Sequence, residues 1–172
     1  MGQWLQANRP QMSFLCPFLT AYPDQTLATL ELLVEQRGSK PLYLVGSSLG
    51  GFLATWLAEK YDLKAVLINP LVDLGLFKDT YINTPLKNYH TEDTYTLRET
   101  HIAVFKSVDV PVISRSENYL LMVQTGDDVL DYRLAVHKYA ACRQVIESGG
   151  DHTFQHFETH ILELMDFLES TA

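Results

Sequence analysis

Cysteine is scarce: the 172-residue chain holds two, Cys16 and Cys142. Two thiols cannot staple a disulfide scaffold, and their spacing fits no zinc motif. Both fall in strand-like runs, where buried and inert thiols are expected. Basic charge is also short, with Lys and Arg totalling 13 against 21 Asp and Glu and a formal net charge of −8. An acidic chain without basic runs lacks the electrostatic footprint for nucleic acid or anionic lipid, so neither is expected as a partner. No apolar run approaches the roughly 18 residues a membrane span requires. Residues 1–10 (MGQWLQANRP) lack the apolar core of a signal peptide. With thiols reduced, the expected setting is cytoplasmic.

What is present is enough apolar sequence for a core: 47% hydrophobic against 20% charged, which excludes disorder. The length suits one domain over residues 1–172. Short apolar runs alternate with amphipathic helical stretches, the pattern of a parallel α/β sheet. Residues 4–7 read as the end of a helix, and 12–16 (MSFLC), stopped by Pro17, read as a strand. Asp24 offers an N-cap to a helix with Leu27, Leu30, Leu33 and Val34 on one face and Gly38 beyond its end. Residues 42–45 (LYLV) are apolar on both faces, as in a central parallel strand. A sharp turn over 46–51 leads into a helix over 52–61 and a buried strand over 65–68. The rhythm breaks over 71–118, a Tyr-, Thr- and Asn-rich stretch too long for a simple connection. It reads as an insertion or lid-like segment, with 101–108 as an extra strand or hairpin and Phe77, Tyr81, Tyr89 and Tyr95 as candidate lining for a pocket. A strand over 119–124, a helix over 131–141, a strand over 142–147 and an amphipathic helix over 157–168 follow.

The sharpest feature is Gly46-Ser47-Ser48-Leu49-Gly50, a G-x-S-x-G that directly follows an apolar strand and opens a helix. That context is the nucleophile elbow, a strained turn that presents its central serine, Ser48, and wants small residues two positions either side. The helix behind it aims free N–H groups and a positive dipole end at the same spot, with the Leu49 N–H as an oxyanion donor. Ser47 points away from the apex. The bland alternative is a tight strand-to-helix turn with a buried hydroxyl.

A serine hydroxyl is a weak nucleophile at neutral pH and needs a base within hydrogen-bond reach, itself oriented by a carboxylate. The order Ser, then Asp or Glu, then His is available here. Asp127 comes first after the 119–124 strand, with Asp128 as the fallback, and Asp131 is better suited to capping the next helix. His152 follows Gly149-Gly150-Asp151 after the last strand, on a loop able to aim an imidazole at Ser48. The candidate catalytic set is therefore Ser48, Asp127 and His152. His152, His156 and His160 are spaced by four, but the turn before the helix takes His152 off any shared stripe. His156 and His160 read as surface residues, and no metal or cofactor is expected.

Together, 46–58 (GSSLGGFLATWLA), 66–70 (VLINP), 124–132 (QTGDDVLDY) and 149–154 (GGDHTF) resemble the YqiA-like esterases, small bacterial α/β-hydrolases grouped with YcfP-like proteins. The resemblance spans nearly the whole chain. It implies an α/β-hydrolase-like three-layer sandwich with a mostly parallel sheet and minimal lid. It also implies hydrolysis of acyl esters or thioesters, acyl-CoA among them, by Ser48, Asp127 and His152. One departure stands out. Members of that family open with an apolar strand ending in a His-Gly-Phe loop that lends a second oxyanion N–H. Here the chain opens at Met1-Gly2-Gln3-Trp4-Leu5, inside the first helix of that pattern, and no His-Gly-Phe occurs. A start taken at an internal Met is the preferred explanation, ahead of truncation or a degenerate hydrolase. The rival function is a noncatalytic hydrolase-fold protein that binds a ligand or partner through the exposed sheet edge.

Overall fold

The structure is a computed structural model that describes residues 1–20, 22–75, 82–87 and 94–170. In chain order its elements are α1 (Gly2–Asn8), α2 (Pro23–Gln36), β1 (Tyr43–Ser47), α3 (Leu49–Tyr61), β2 (Lys64–Ile68), β3 (Pro85–Lys87), β4 (Thr94–Thr96) and α4 (Glu99–Lys106). After these come β5 (Tyr119–Gln124), α5 (Tyr132–Lys138), β6 (Arg143–Glu147) and α6 (Ile161–Glu169). Strands β1, β2, β5 and β6 form one parallel sheet in the order β1-β2-β5-β6, with Val45 opposite Val66, Leu67 opposite Leu121 and Met122 opposite Val145. A small antiparallel pair, β3 and β4, sits apart from it.

The two-sided apolar character of the central strands decides the layering. Side chains alternate across a strand, so Ala65, Leu67, Tyr119, Leu121 and Val123 face one core and Val66, Ile68, Leu120 and Met122 face the other. The first core is filled from α2 by Leu27 and Val34, from α3 by Phe52, Leu53, Trp56 and Leu57, and from α5 by Ala135. The second is filled from α1 by Leu5 and from α6 by Ile161, Leu164, Met165, Phe167 and Leu168. Helix, sheet and helix make three layers, the α/β-hydrolase fold class. Each large aliphatic side chain fully buried here contributes about 1.5–3 kcal/mol relative to exposure. Where α3 meets the end of α5, the buried Thr55 hydroxyl donates to the Gly51 carbonyl at 2.8 Å. A hydroxyl has one proton, so the Tyr139 phenol, 2.8 Å away, is the donor to Thr55 Oγ1. Burial raises the pKa of that phenol well above its ordinary value, which keeps its proton in place.

Several expectations are corrected. Residues 12–16 form no strand: Phe14 and Leu15 are 53% and 64% exposed. A strand needs a neighbour for its N–H and C=O groups. β1 is the sheet edge, with β2 as its only partner strand among the described residues, and residues 12–16 pair neither with it nor with another strand, so they form no ladder. Cys16, placed in that run, is exposed rather than buried, whereas Cys142 is half-buried and its thiol is pushed up to about 11, first by burial. The stretch 101–108 is not a strand or hairpin: α4 covers most of it, with Ile102 and Phe105, three apart, buried on one face. Helix α2 begins at Pro23 with Tyr22 as N-cap, because proline suits the first helical position, and Asp24 sits within the first turn. The last helical stretch is a 3₁₀ turn, Phe157–His160, before α6. No helix among the described residues is long and apolar enough to cross a membrane.

Candidate active site

Parallel strands deliver their C-terminal ends to one rim, and three of them carry the candidate residues. Ser48 follows β1, Asp127 follows β5 and His152 follows β6. Ser48 takes φ 54° and ψ −123°, a left-handed conformation a serine seldom holds. Neighbouring backbone holds it there. Its N–H donates to the Ile68 carbonyl at 3.1 Å, and its own carbonyl accepts from the Gly51, Phe52 and Leu71 N–H groups at 2.9, 3.3 and 3.0 Å. Ser48 is the N-cap of α3 yet makes no side-chain capping bond, so its hydroxyl stays free for another partner.

That partner is His152. Its Nε2 lies 3.0 Å from Ser48 Oγ, and its Nδ1 lies 2.8 Å from Asp127 Oδ2. The carboxylate accepts, so Nδ1–H donates to it and Nε2 is left to accept from the serine hydroxyl. Asp127 is 1% exposed at its side chain against 22% for His152. A carboxylate so buried is costly unless fully hydrogen-bonded. Here Oδ1 accepts from the Val129 and Leu130 N–H groups, both at 2.9 Å, while Oδ2 faces the imidazole. Asp127 thus stabilises its own turn as well as orienting the ring. Asp131 caps α5, accepting from the Arg133 N–H at 3.0 Å, and among the described residues no hydrogen bond or ion pair joins Asp128 to His152. At the start of α3, no hydrogen bond among the described residues uses the Leu49 N–H. It is one of the orphan donors of a helix start, beside the serine.

The expectation of small residues on both sides of Ser48 is corrected on one side. A Cβ at Gly46 would lie 2.2 Å from the Gly50 carbonyl oxygen, and one at Gly51 would lie 2.6 Å from Pro70 Cβ. One at Gly50 meets nothing within 4 Å outside its own helix among the described residues. The tight packing of α3 on β1 and Pro70 therefore falls on Gly46 and Gly51. Gly46→Ala and Gly51→Ala are expected to lower the melting temperature by several degrees, as overpacking of about 1–3 kcal/mol does in a chain this size. Gly50→Ala is expected to leave it unchanged or raise it slightly. Equal losses at all three positions in thermal melts would contradict this packing.

His156 caps the 3₁₀ turn in a left-handed conformation (φ 61°), which keeps it off a common face with its neighbours. His160 does not lie on the surface as expected. It is turned inward, with Nε2 2.9 Å from Glu147 Oε1 and its ring edge-on to Phe154. Phe77, Tyr81 and Tyr89 lie outside the described residues, and Tyr95 lies in β4. Motif reading passes over two buried amides beneath the His152 loop, Asn69 and Gln124. Their signal is a polar residue at the C-terminal end of an apolar run, AVLI before Asn69 and YLLMV before Gln124.

Two carboxyls bracket the His152 loop. Asp151 is held below its ordinary value, first by the Thr153 hydroxyl and then by the Gln155 amide. Glu147 is held low first by the Gln124 amide, with His160 adding to it. A carboxyl lowered in the fold stabilises it above the unfolded pKa, and that contribution disappears as pH falls through the folded value. Thr153→Val is therefore expected to lower the melting temperature at neutral pH, with the deficit shrinking only as pH falls below about 4. A deficit independent of pH would show that the Asp151 contact is not its source.

The chain matches the uncharacterised protein family UPF0227 over residues 1–169. It belongs to that family, the YqiA family. Among solved structures, it superimposes on a protein of Agrobacterium vitis described as a hydrolase with TM-score 0.68 at 15% identity, covering 87% of this chain and 69% of that one. The esterase domain of a Rhodothermus marinus protein gives TM-score 0.60 at 16% identity, covering 86% and 69%. The mouse alpha/beta hydrolase domain-containing protein 10 gives 0.59 at 16%, covering 87% and 71%. The fold shared with these neighbours is that of the α/β-hydrolases.

Proposed function

We propose that this chain is a serine hydrolase of acyl esters or thioesters, acyl-CoA among them. The observation that carries the reading is the unbroken hydrogen-bond line from Ser48 Oγ through His152 to a buried Asp127. In it, Ser48 attacks the acyl carbonyl while His152 Nε2 takes its proton. Asp127 holds the imidazole in the required tautomer and stabilises the imidazolium. The Leu49 N–H, at the positive end of α3, faces the negative charge that develops on the carbonyl oxygen. His152 then returns its proton to the leaving alkoxide or thiolate, and water repeats the sequence on the acyl-serine. The mechanism calls on no metal or cofactor. The low cysteine count fits a cytoplasmic setting.

The test is a series of p-nitrophenyl esters and acyl-CoA thioesters of rising chain length, followed by release of nitrophenolate or free thiol. Turnover with an initial burst of leaving group supports an acyl-serine route. A second reading rests on the side of β1 left unpaired among the described residues, where Val45 is exposed. It makes the chain a noncatalytic protein that pairs that edge with a partner strand. Absence of turnover on every ester and thioester, from a folded chain, would favour it.

A further inference from the structure

We propose that Asn69 and Gln124 are positioning residues, a pair of buried side-chain amides that hold the loop carrying His152 in register with Ser48 and Asp127. The loop is poorly equipped to hold itself. It joins Gly149 and Gly150 to Phe154 and His156, all four in left-handed conformations (φ 79°, 71°, 62° and 61°), and belongs to no regular element. One internal backbone bond closes it, from the Phe154 N–H to the Asp151 carbonyl.

Side-chain bonds from Thr153 and Gln155 to the Asp151 carboxylate tighten it, and Gly149 bonds to Thr125 and Gly126 at its start; the backbone groups flanking the imidazole are held from below. Asn69, 2% exposed at the end of β2, donates through Nδ2 to the Asp151 carbonyl at 3.0 Å and the His152 carbonyl at 3.1 Å. Its Oδ1 accepts from the Gln124 N–H at 3.0 Å. Gln124, 3% exposed at the end of β5, accepts through Oε1 from the Asp151 and Gln155 N–H groups at 3.1 and 2.8 Å. Its Nε2 donates to the Gln155 carbonyl at 2.9 Å and to Glu147 Oε2 at 2.8 Å. Every donor and both acceptors of the two amides are engaged, as buried polar groups require. Both amides hold backbone groups on either side of one imidazole.

The same residue reaches the second loop, since the Asp127 N–H donates to the Gln124 carbonyl at 3.2 Å. Gln124 therefore ties the His152 loop and the Asp127 turn to a single strand end. Residue 69 also has a backbone reason to be asparagine, at φ 40°, where a short polar side chain is tolerated.

The catalytic consequence rests on the hydrolase reading, but the positioning itself does not, and the experiment separates them. Asn69→Gly keeps the backbone conformation and removes the amide, and Gln124→Met keeps the length and removes the hydrogen bonds. Three quantities are read on folded protein: the downfield Nδ1 proton resonance of His152 by NMR, kcat, and KM for p-nitrophenyl acetate. The expected result is loss or broadening of that resonance in both variants, with kcat down about 10²-fold per folded molecule and KM little changed. Normal resonance and normal kcat per folded molecule, with only the melting temperature reduced, would make the pair structural and overturn the proposal. If the resonance is lost in the variants but wild type hydrolyses no ester, the positioning role stands and the hydrolase reading falls. Should Asn69→Gly not fold, Asn69→Asp preserves the acceptor for the Gln124 N–H, removes both donors to the loop and decides the same question.

Discussion

Ser48→Ala is expected to lower kcat/KM for acyl esters by at least about 10⁴-fold while leaving the fold intact. The hydroxyl makes one side-chain contact among the described residues, to His152 Nε2, and none that caps α3. Its removal therefore costs little stability. Alanine meets the same backbone strain at φ 54° as serine does, and the bonds from Ile68, Gly51, Phe52 and Leu71 that hold the turn are all to the backbone. A melting temperature close to wild type with activity gone is the expected pair of readings, from thermal melts and ester turnover. Retained turnover in a folded Ser48→Ala protein would remove Ser48 from the chemistry.

Asp127→Asn is expected to lower kcat by about 10⁴-fold through the tautomer of His152. The substitution is nearly isosteric. The amide oxygen keeps the acceptor for the Val129 and Leu130 N–H groups, so the turn stays closed. The amide nitrogen then faces His152 Nδ1 where an acceptor stood 2.8 Å away. Two donors cannot face each other, so Nδ1 gives up its proton to become the acceptor, and Nε2 carries it instead. An Nε2–H cannot take the serine proton. KM should change little, because Asp127 is buried away from the space above the serine. Asp128→Asn is the control: it should leave kcat near wild type, and a comparable loss there would move the orienting role.

How far this was legible in the chain depended on the range of the forces involved. Strand β5 announces itself because both faces are buried and six consecutive residues need no water, and the turn at Gly46 announces itself because a Cβ there would strike the Gly50 carbonyl. The order of Ser48, Asp127 and His152 was readable because parallel strands send their C-terminal ends to one rim. Other features depended on partners remote in sequence. Residues 12–16 have the composition of a strand, but a strand exists only where it pairs with another, and among the described residues they pair with none. Residues 101–108 looked extended, yet Ile102 and Phe105 gain more by meeting the core from one helical face. Which glycine yields no space depended on Pro70, some twenty residues away, and so the constraint fell on Gly51 rather than Gly50. His160 seemed a surface residue until β6 placed Glu147 within 2.9 Å. The roles of Asn69 and Gln124 were least visible, since their partners are backbone groups of a loop about 30 to 80 residues further on, and backbone carries no sequence signal.

The most direct measurement is the mass of the intact protein and of its peptides after reaction with a fluorophosphonate ester. A single adduct is expected, on the peptide containing Ser48 and on that residue, and none on His152→Ala. A folded chain that takes up no phosphonyl group, or takes it up elsewhere while Ser48 stays free, would contradict it.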